Sequence, residues 1–588
     1  MTLDADEKPI GQYASEVRDG MHIDWDVPIE MDDGNVLRAD VYRPIAGGRY
    51  PVIMSHGPYG KGLAVQEAYK SAWTRIIKGA PNVLEGSSNV YQSWEVVDPE
   101  KWVPEGYAVV RVDSRGAGRS PGYLDPYSKR EIRDFYNCIE WAGVQAWSNG
   151  KVGLNGISYF AVSQWLVAGL QPPHLAALCV WEGCGDQYRD AFRHGGIMCN
   201  FMIGWAKRQV VTVQHGYGDR GGKSKVTGLN VAGDETLPED ILAKNRKDMA
   251  RAAIEHEFLD DFYIERSATY PEVNIPLLSA ANWGGMGLHT RGNLVGWEQA
   301  GSKQKWLEVH GDSHFTPFYK QEGEALQKRF FGHFLKGEDT GWDQQPPVEL
   351  NVRYPGEKFI KRAETEWPLA RTEWTKFHLD PDTMSLGVEP TETEATLDYD
   401  TTGEGLLFST GPLKKEMEIT GPIAARFSVS SATTDADLFL VLRLFDSDGR
   451  EVTFVGSNDP RVPIGLGWLR ASHRKLDAEL STPWRPWHSH DEAWPLTPQE
   501  PVELEVEIIP TSIVIPVGYS LALMIRGRDF EHPDDAAIPD APYPMRGVGP
   551  FYHSVPADRP PEVFETTNTL HFGRDHPAYL LLPVIPAT

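Results

Sequence analysis

Cysteine is scarce in this chain: four residues (Cys138, Cys179, Cys184, Cys199) among 588. They are too few and too irregularly spaced for a disulfide scaffold, and with the histidines and aspartates they form no pattern of metal-ligand spacing, so reduced thiols and no metal or other cofactor are expected. Long apolar runs are also missing. No stretch approaches the roughly 20 apolar residues of a membrane span. The N-terminus, MTLDADEKPIGQY, has neither a basic nor an apolar region, so no signal peptide is expected and the default location is cytoplasmic. Basic charge is in deficit: the formal net charge is −26. So acidic a surface repels phosphate backbones and anionic lipid, which argues against nucleic acid or membranes as partners, while the charge itself names no substrate. Disorder is excluded by what is abundant, 41% hydrophobic and 11% aromatic residues.

Two textures divide the chain. Up to about residue 350, strands alternate with helical patterns. Short strands fill 21–60, a Trp- and Lys-bearing stretch near 62–102 reads as an insertion, and GYAVVRVDSRG is a buried strand entering a Gly-rich turn. Residues 128–147 carry Ile132, Phe135, Ile139 and Trp141 at helical spacing. KVGLNGISYFAVSQWLVAGL reads as strand, sharp turn, helix, and LAALCVWEG as a further strand. Such alternation predicts a mostly parallel sheet with helices on both faces, an α/β fold. Residues 185–265, polar and largely helical in pattern, read as an inserted cap. Beyond residue 350, alternating segments such as AARFSVSSA and VELEVEIIP, separated by Asp-Gly, Pro and Gly turns, predict a β-sandwich.

Gly156-Ile157-Ser158-Tyr159-Phe160 carries the chemistry. A strand running into a tight Gly-x-Ser turn and then an apolar helix holds the serine in a strained conformation with its hydroxyl exposed above the sheet, as a nucleophile requires. The second position after such a serine is usually Gly; here it is Phe160. A serine needs a base. His314, in Val309-His310-Gly311-Asp312-Ser313-His314, follows a late strand of the α/β part, in the order and on the loop expected; His310, nearer the strand, is the competitor. The Asp113-Ser114-Arg115-Gly116-Ala117-Gly118 stretch lacks the Lys and Ser/Thr of a phosphate loop and reads as a packed turn with an internal ion pair. Trp165, Trp181 and Trp283 flank the proposed catalytic loops and are candidates for an acyl or leaving-group pocket, with core packing the equal alternative.

Taken together, Gly-Ile-Ser-Tyr, His56-Gly57-Pro58-Tyr59-Gly60-Lys61, the Asp113–Ser120 segment, Asp186-Gln187-Tyr188-Arg189 and Gly467-Trp468-Leu469-Arg470-Ala471-Ser472-His473-Arg474 resemble the cocaine esterase and X-prolyl dipeptidyl-peptidase group of serine hydrolases. The resemblance implies an α/β-hydrolase domain (1–184 and 266–350) with a helical cap (185–265), then a jelly roll (351–588) that covers a wall of the cleft and helps assemble homo-oligomers. It implies an oxyanion hole made by the backbone N–H of Tyr159 and the hydroxyl of Tyr59. It also implies an acid in a Gly-Trp-x-Asp segment, where this chain has Asn282-Trp283-Gly284-Gly285 and Gly285 cannot orient an imidazole. Glu182, at the end of the strand after the nucleophile, is the expected replacement, with Asp186 and Asp312 as rivals. The expected activity is hydrolysis of carboxylic esters or amides through an acyl-enzyme. Acyl transfer on the same intermediate, or an inert binding protein whose jelly roll carries the function, are the alternatives.

Overall fold

The computed structural model describes residues 13–533 and 543–587; the N-terminal segment read for a leader lies, up to residue 12, outside them. Eleven strands build the first sheet: β1 (Ala14–Arg18), β2 (Met21–Glu30), β3 (Val36–Pro44), β4 (Tyr50–Gly57), β5 (Ala108–Asp113), β6 (Ser148–Ile157), β7 (Leu175–Trp181), β8 (Leu277–Asn282), β9 (Lys305–His310), β10 (Val348–Tyr354) and β11 (Lys358–Glu364). They lie in the order 1-2-3-5-4-6-7-8-9-10-11, parallel from β5 through β10 and antiparallel at both margins. The central strands are apolar without alternation because helices cover both faces: β5 and β8 are buried at every position. Helix α1 (Lys129–Gly143) opens on Ser128, whose hydroxyl accepts from the Glu131 N–H, and buries Ile132, Phe135 and Ile139; Trp141 stays half-buried. Helix α2 (Tyr159–Ala168) is apolar all round and buried along its whole length.

The Asp113 turn is built as an ion-paired knot. Asp113 accepts from the backbone N–H groups of Lys61 (2.6 Å) and Arg119 (2.9 Å), while Lys61 Nζ lies among Asp26, Asp40 and Asp113. Gly118 is obligatory here: φ is +54°, and a Cβ would sit 2.2 Å from the Asp113 carboxyl carbon. Residues 185–265, expected as a helical cap, contain short helices (Phe201–Trp205, Glu239–Lys244, Met249–Glu255, Asp261–Ile264) and two small antiparallel hairpins. The four cysteines are free and buried.

The C-terminal part is all-β, but its ladder closes on itself and is barrel-like, where two separate sheets of a sandwich were expected. The long strand Met417–Ser431 pairs with Val502–Ile515 on one side and with Thr567–Phe572 and Tyr579–Ile585 on the other. From Val502–Ile515 the pairing passes through Gly465–Arg470, Asp437–Phe445, Ser520–Arg526, Leu406–Ser409, Ser385–Gly387 and Glu373–Asp380 back to Tyr579–Ile585. One pair, Arg353 opposite Ile513, joins this ladder to the first sheet. No helix among the described residues is long and apolar enough to cross a membrane.

Candidate active site

The C-terminal ends of the parallel strands converge, as the crevice of an open α/β sheet does. Ser158 stands between β6 and α2 at φ +57°, ψ −115°, a strained backbone for a residue with a side chain. Gly156 makes the turn possible, because a Cβ there would meet the Phe160 Cβ at 2.5 Å. The bulk of Phe160, where the usual pattern has glycine, is taken up by that glycine and by Gly57, whose added Cβ would lie 2.7 Å from the ring. The Ser158 N–H approaches the carbonyls of Trp181 (3.1 Å) and Glu182 (3.2 Å), so the elbow is tied to the end of β7.

Glu182, with φ +47°, is fully buried and surrounded by donors. Its Oε2 accepts from His314 Nδ1 (2.7 Å) and Ser457 Oγ (2.7 Å); its Oε1 accepts from His310 Nε2 and Asn282 Nδ2, both at 3.1 Å. Burial alone would raise its carboxyl, but the two histidines and these bonds win and hold it well below the usual carboxylate range. The His310 ring is held on its other nitrogen by Glu308 (2.7 Å) and stacks on Trp181. Burial would lower His310, yet Glu308 and Glu182 push it up to about 10. His310 is therefore a charged strut behind Glu182. The rivals lie elsewhere: Asp312 pairs with Lys320 (2.8 Å) and Asp186 with Arg189 (2.7 Å).

His314 also has a carboxylate on its other side. Its Nε2, the atom a serine base must use, lies 3.1 Å from Glu95 Oε1. Glu95 comes from the 62–102 stretch, sits at φ +61°, and leaves its Oε2 buried without a partner. Burial raises the Glu95 carboxyl against the pull of His314. Burial would lower His314, but Glu182 and then Glu95 push it up to about 9. One proton is thus held between His314 and Glu95. His289 stacks on His314 (centroids 5.2 Å, 5° apart) with both ring nitrogens unpartnered, and burial drives it down to about 3, so it is a neutral aromatic wall.

Ser158 and His289 line a cavity with Tyr59, Tyr127, Phe201 and Trp205. The Tyr59 oxygen accepts from Trp205 Nε1 (2.9 Å), which turns the hydroxyl's own hydrogen elsewhere, and burial keeps the phenol protonated. The Tyr159 hydroxyl is tied to Glu131 (2.6 and 2.8 Å), leaving its backbone N–H, the first of α2, without an intrahelical acceptor. Trp165, Trp181 and Trp283 do not line this cavity. All three are buried in the core, Trp165 against Tyr270, Trp181 against His310 and Phe318, and Trp283 donating to the Asn351 carbonyl.

Gly285 has a structural reason. A Cβ there would lie 2.9 Å from Ser457 Oγ, and one at Gly284 would lie 2.3 Å from the Gly456 Cα. The two glycines admit a loop of the C-terminal domain, whose Ser457 donates to Glu182 and whose backbone carbonyl accepts from the His314 N–H at 3.0 Å. Glu95, His289 and Ser457 carried no signal in the sequence, since each reaches the site through loop geometry and none lies in a motif.

Strand order, elbow and buried His–carboxylate pair define the class, an α/β-hydrolase of the serine type with an all-β C-terminal domain. Residues 33–316 match the X-Pro dipeptidyl-peptidase (S15 family) profile, and residues 340–581 match its C-terminal non-catalytic domain. A crystal structure of a CocE/NonD family hydrolase from Staphylococcus aureus is 30% identical, covers 100% of this chain and 99% of its own, and superposes with a TM-score of 0.84. Cocaine esterase from Rhodococcus is 25% identical over 95% of this chain and 98% of its own length, and a putative serine esterase of Mycobacterium bovis is 25% identical over 86% and 90%. The chain belongs to the CocE/NonD hydrolases of the S15 family.

Proposed function

We propose that this protein is a serine carboxylic-ester hydrolase working through an acyl-enzyme. Residues 1–184 and 266–350 form the catalytic unit, 185–265 its cap, and 351–588 an all-β wall that supplies Ser457. Ser158 attacks the carbonyl carbon, and His314 Nε2 takes its proton. Glu182 fixes the Nδ1–H tautomer and stabilises the imidazolium. The oxyanion receives hydrogen bonds from the Tyr159 N–H and the Tyr59 hydroxyl. His314 then returns its proton to the leaving alcohol and activates water for deacylation. The observation that carries this reading is the 2.7 Å contact of Glu182 with His314 beside the strained Ser158 elbow.

Ester rather than peptide substrates are favoured by the cavity lining. It is mostly aromatic and aliphatic, with Cys184 and Gln187 beside Ser158 and His289, and contains no carboxylate among the described residues to anchor an N-terminal ammonium; the nearby Glu95 is engaged by His314. Glu95 must give up His314 before the serine can be deprotonated, so it is a positioning residue that sets the pH at which the base is free. The test is burst kinetics on short-chain p-nitrophenyl esters. A stoichiometric burst of nitrophenol is expected, and its absence together with turnover of aminoacyl-proline anilides would replace esterase by peptidase.

A further inference from the structure

A second cluster of reactive side chains lies away from Ser158, where the cap meets the C-terminal domain. Arg193–His194 pairs with Ile197–Met198 in a two-residue hairpin, which brings Cys199 back beside His194. Gly195 and Gly196 turn the hairpin at φ +55° and +92° and press it onto Trp468 and His473, leaving no room for a Cβ at either position. His553 of the C-terminal domain closes the group. The ligand atoms of His194, Cys199 and His553 all lie within 4.8 Å of one another, and the three residues are 3%, 1% and 0% exposed.

An outer hydrogen bond decides one tautomer. Asp529 accepts from His553 Nδ1 at 2.8 Å and also from its backbone N–H at 2.6 Å. The Asp190 carbonyl faces His194 Nε2 at 3.3 Å. A carboxylate only accepts, so His553 Nδ1 carries its hydrogen and His553 Nε2 presents a lone pair. His194 Nδ1 lies 2.8 Å from that lone pair. So short an approach of two ring nitrogens places an electrophile between them, either the hydrogen of His194 Nδ1 or a metal ion. Imidazoles whose far nitrogens are fixed by a carboxylate and a carbonyl are the usual support of a metal ligand set. The Cys199 thiol adds a third donor for which a bridging proton has no use.

We propose that His194, Cys199 and His553 bind Zn(II), with Asp529 and the Asp190 carbonyl orienting the imidazoles. Zinc–nitrogen and zinc–sulfur bonds of about 2.0–2.1 and 2.3 Å place ligand atoms roughly 3.3–3.7 Å apart, between the 2.8 and 4.8 Å present here. Binding displaces the Cys199 proton to solvent, and Zn(II), the thiolate and the Asp529 carboxylate sum to zero charge in a buried site. Because the thiol must lose its proton to ligate, zinc affinity increases with pH. The ion ties the cap to the C-terminal domain, immediately before Phe201, Met202 and Trp205 of the Ser158 cavity.

The test uses tag-free full-length protein, incubated with zinc, desalted and assayed by elemental analysis, and in parallel loaded with Co(II). About one zinc per chain is expected, with a thiolate-to-cobalt charge-transfer band in the near ultraviolet. Cys199→Ser should lose that band, and Asp529→Asn should weaken zinc binding on the order of 10–100-fold. Zinc below about a tenth per chain in the wild type or a cobalt spectrum without the thiolate band would each overturn the assignment. The cobalt spectrum of the wild type decides the matter even if a variant fails to fold.

Discussion

Replacing Glu182 by Gln isolates the orienting carboxylate, because the amide has the same shape. The structure fixes which way the amide turns. Asn282 Nδ2, which also donates to the Asp312 carbonyl, and His310 both present N–H groups to the Oε1 side. On the Oε2 side stand Ser457, whose hydroxyl can rotate and accept, and His314. The amide NH2 therefore faces Ser457 and His314. There it donates to His314 Nδ1 and forces the hydrogen to Nε2, the atom that must accept the serine proton. Loss of the correct tautomer costs kcat about 10³–10⁴-fold, or roughly 4–5.5 kcal/mol. KM should change little, since Glu182 does not line the cavity. The assay is steady-state hydrolysis of p-nitrophenyl acetate, with circular dichroism and thermal melting to verify the fold. A folded Glu182→Gln enzyme within tenfold of the wild-type kcat would mean that the carboxylate does not orient the base.

Three further outcomes are expected. The kcat/KM of the wild type should rise about tenfold per pH unit towards about 9, because His314 is protonated below its raised pKa and only its neutral form is a base; Glu95→Gln removes one of the two carboxylates that raise it, so the limb should move down by about one unit and the rate near pH 7 should increase on the order of tenfold, and an unmoved limb would remove Glu95 from the mechanism. Tyr59→Phe should lower kcat about 10²-fold when acylation is limiting, equivalent to about 2.7 kcal/mol for one oxyanion donor, and an unchanged kcat would place the second donor elsewhere. Adding Gly285→Asp and Ser457→Gly to Glu182→Gln should restore part of the lost activity, since Ser457 fills the space where a side chain at 285 would project; no recovery in a folded triple variant would show that a carboxylate from β8 does not reach His314.

The fold was legible where pattern and topology agree. Alternating strands and helices required a covered parallel sheet, and the Gly-Ile-Ser-Tyr turn between an apolar strand and an apolar helix could be placed without coordinates. Glu182 was legible as a position, the end of a strand beside the nucleophile's strand, but not as a network. Its other donors, His310, Asn282 and Ser457, come from two more strand ends and from a different domain. Glu95 was hidden because it lies in a stretch without periodicity and reaches His314 through a left-handed backbone that no glycine or asparagine at that position signals. For the three tryptophans, nearness in sequence to the catalytic loops left pocket and core as equal alternatives, and the structure places them in the core. The closed ladder of the C-terminal part was illegible for a related reason. Alternation identifies a strand with one buried face, and says nothing of which strand it pairs with. The absence of a metal cluster was inferred from spacing, yet His194 and Cys199 meet His553 only through the fold.

Covalent labelling of the nucleophile is the most direct measurement. The wild-type protein is treated with a fluorophosphonate, digested and mapped by mass spectrometry, alongside Ser158→Ala assayed on an activated phenyl ester. One adduct per chain on Ser158 is expected, with esterase activity lost in step with labelling and with Ser158→Ala folded and inactive. An adduct on another residue, no adduct at all, or a Ser158→Ala enzyme keeping more than about a tenth of the wild-type rate would contradict the assignment of Ser158 as the nucleophile.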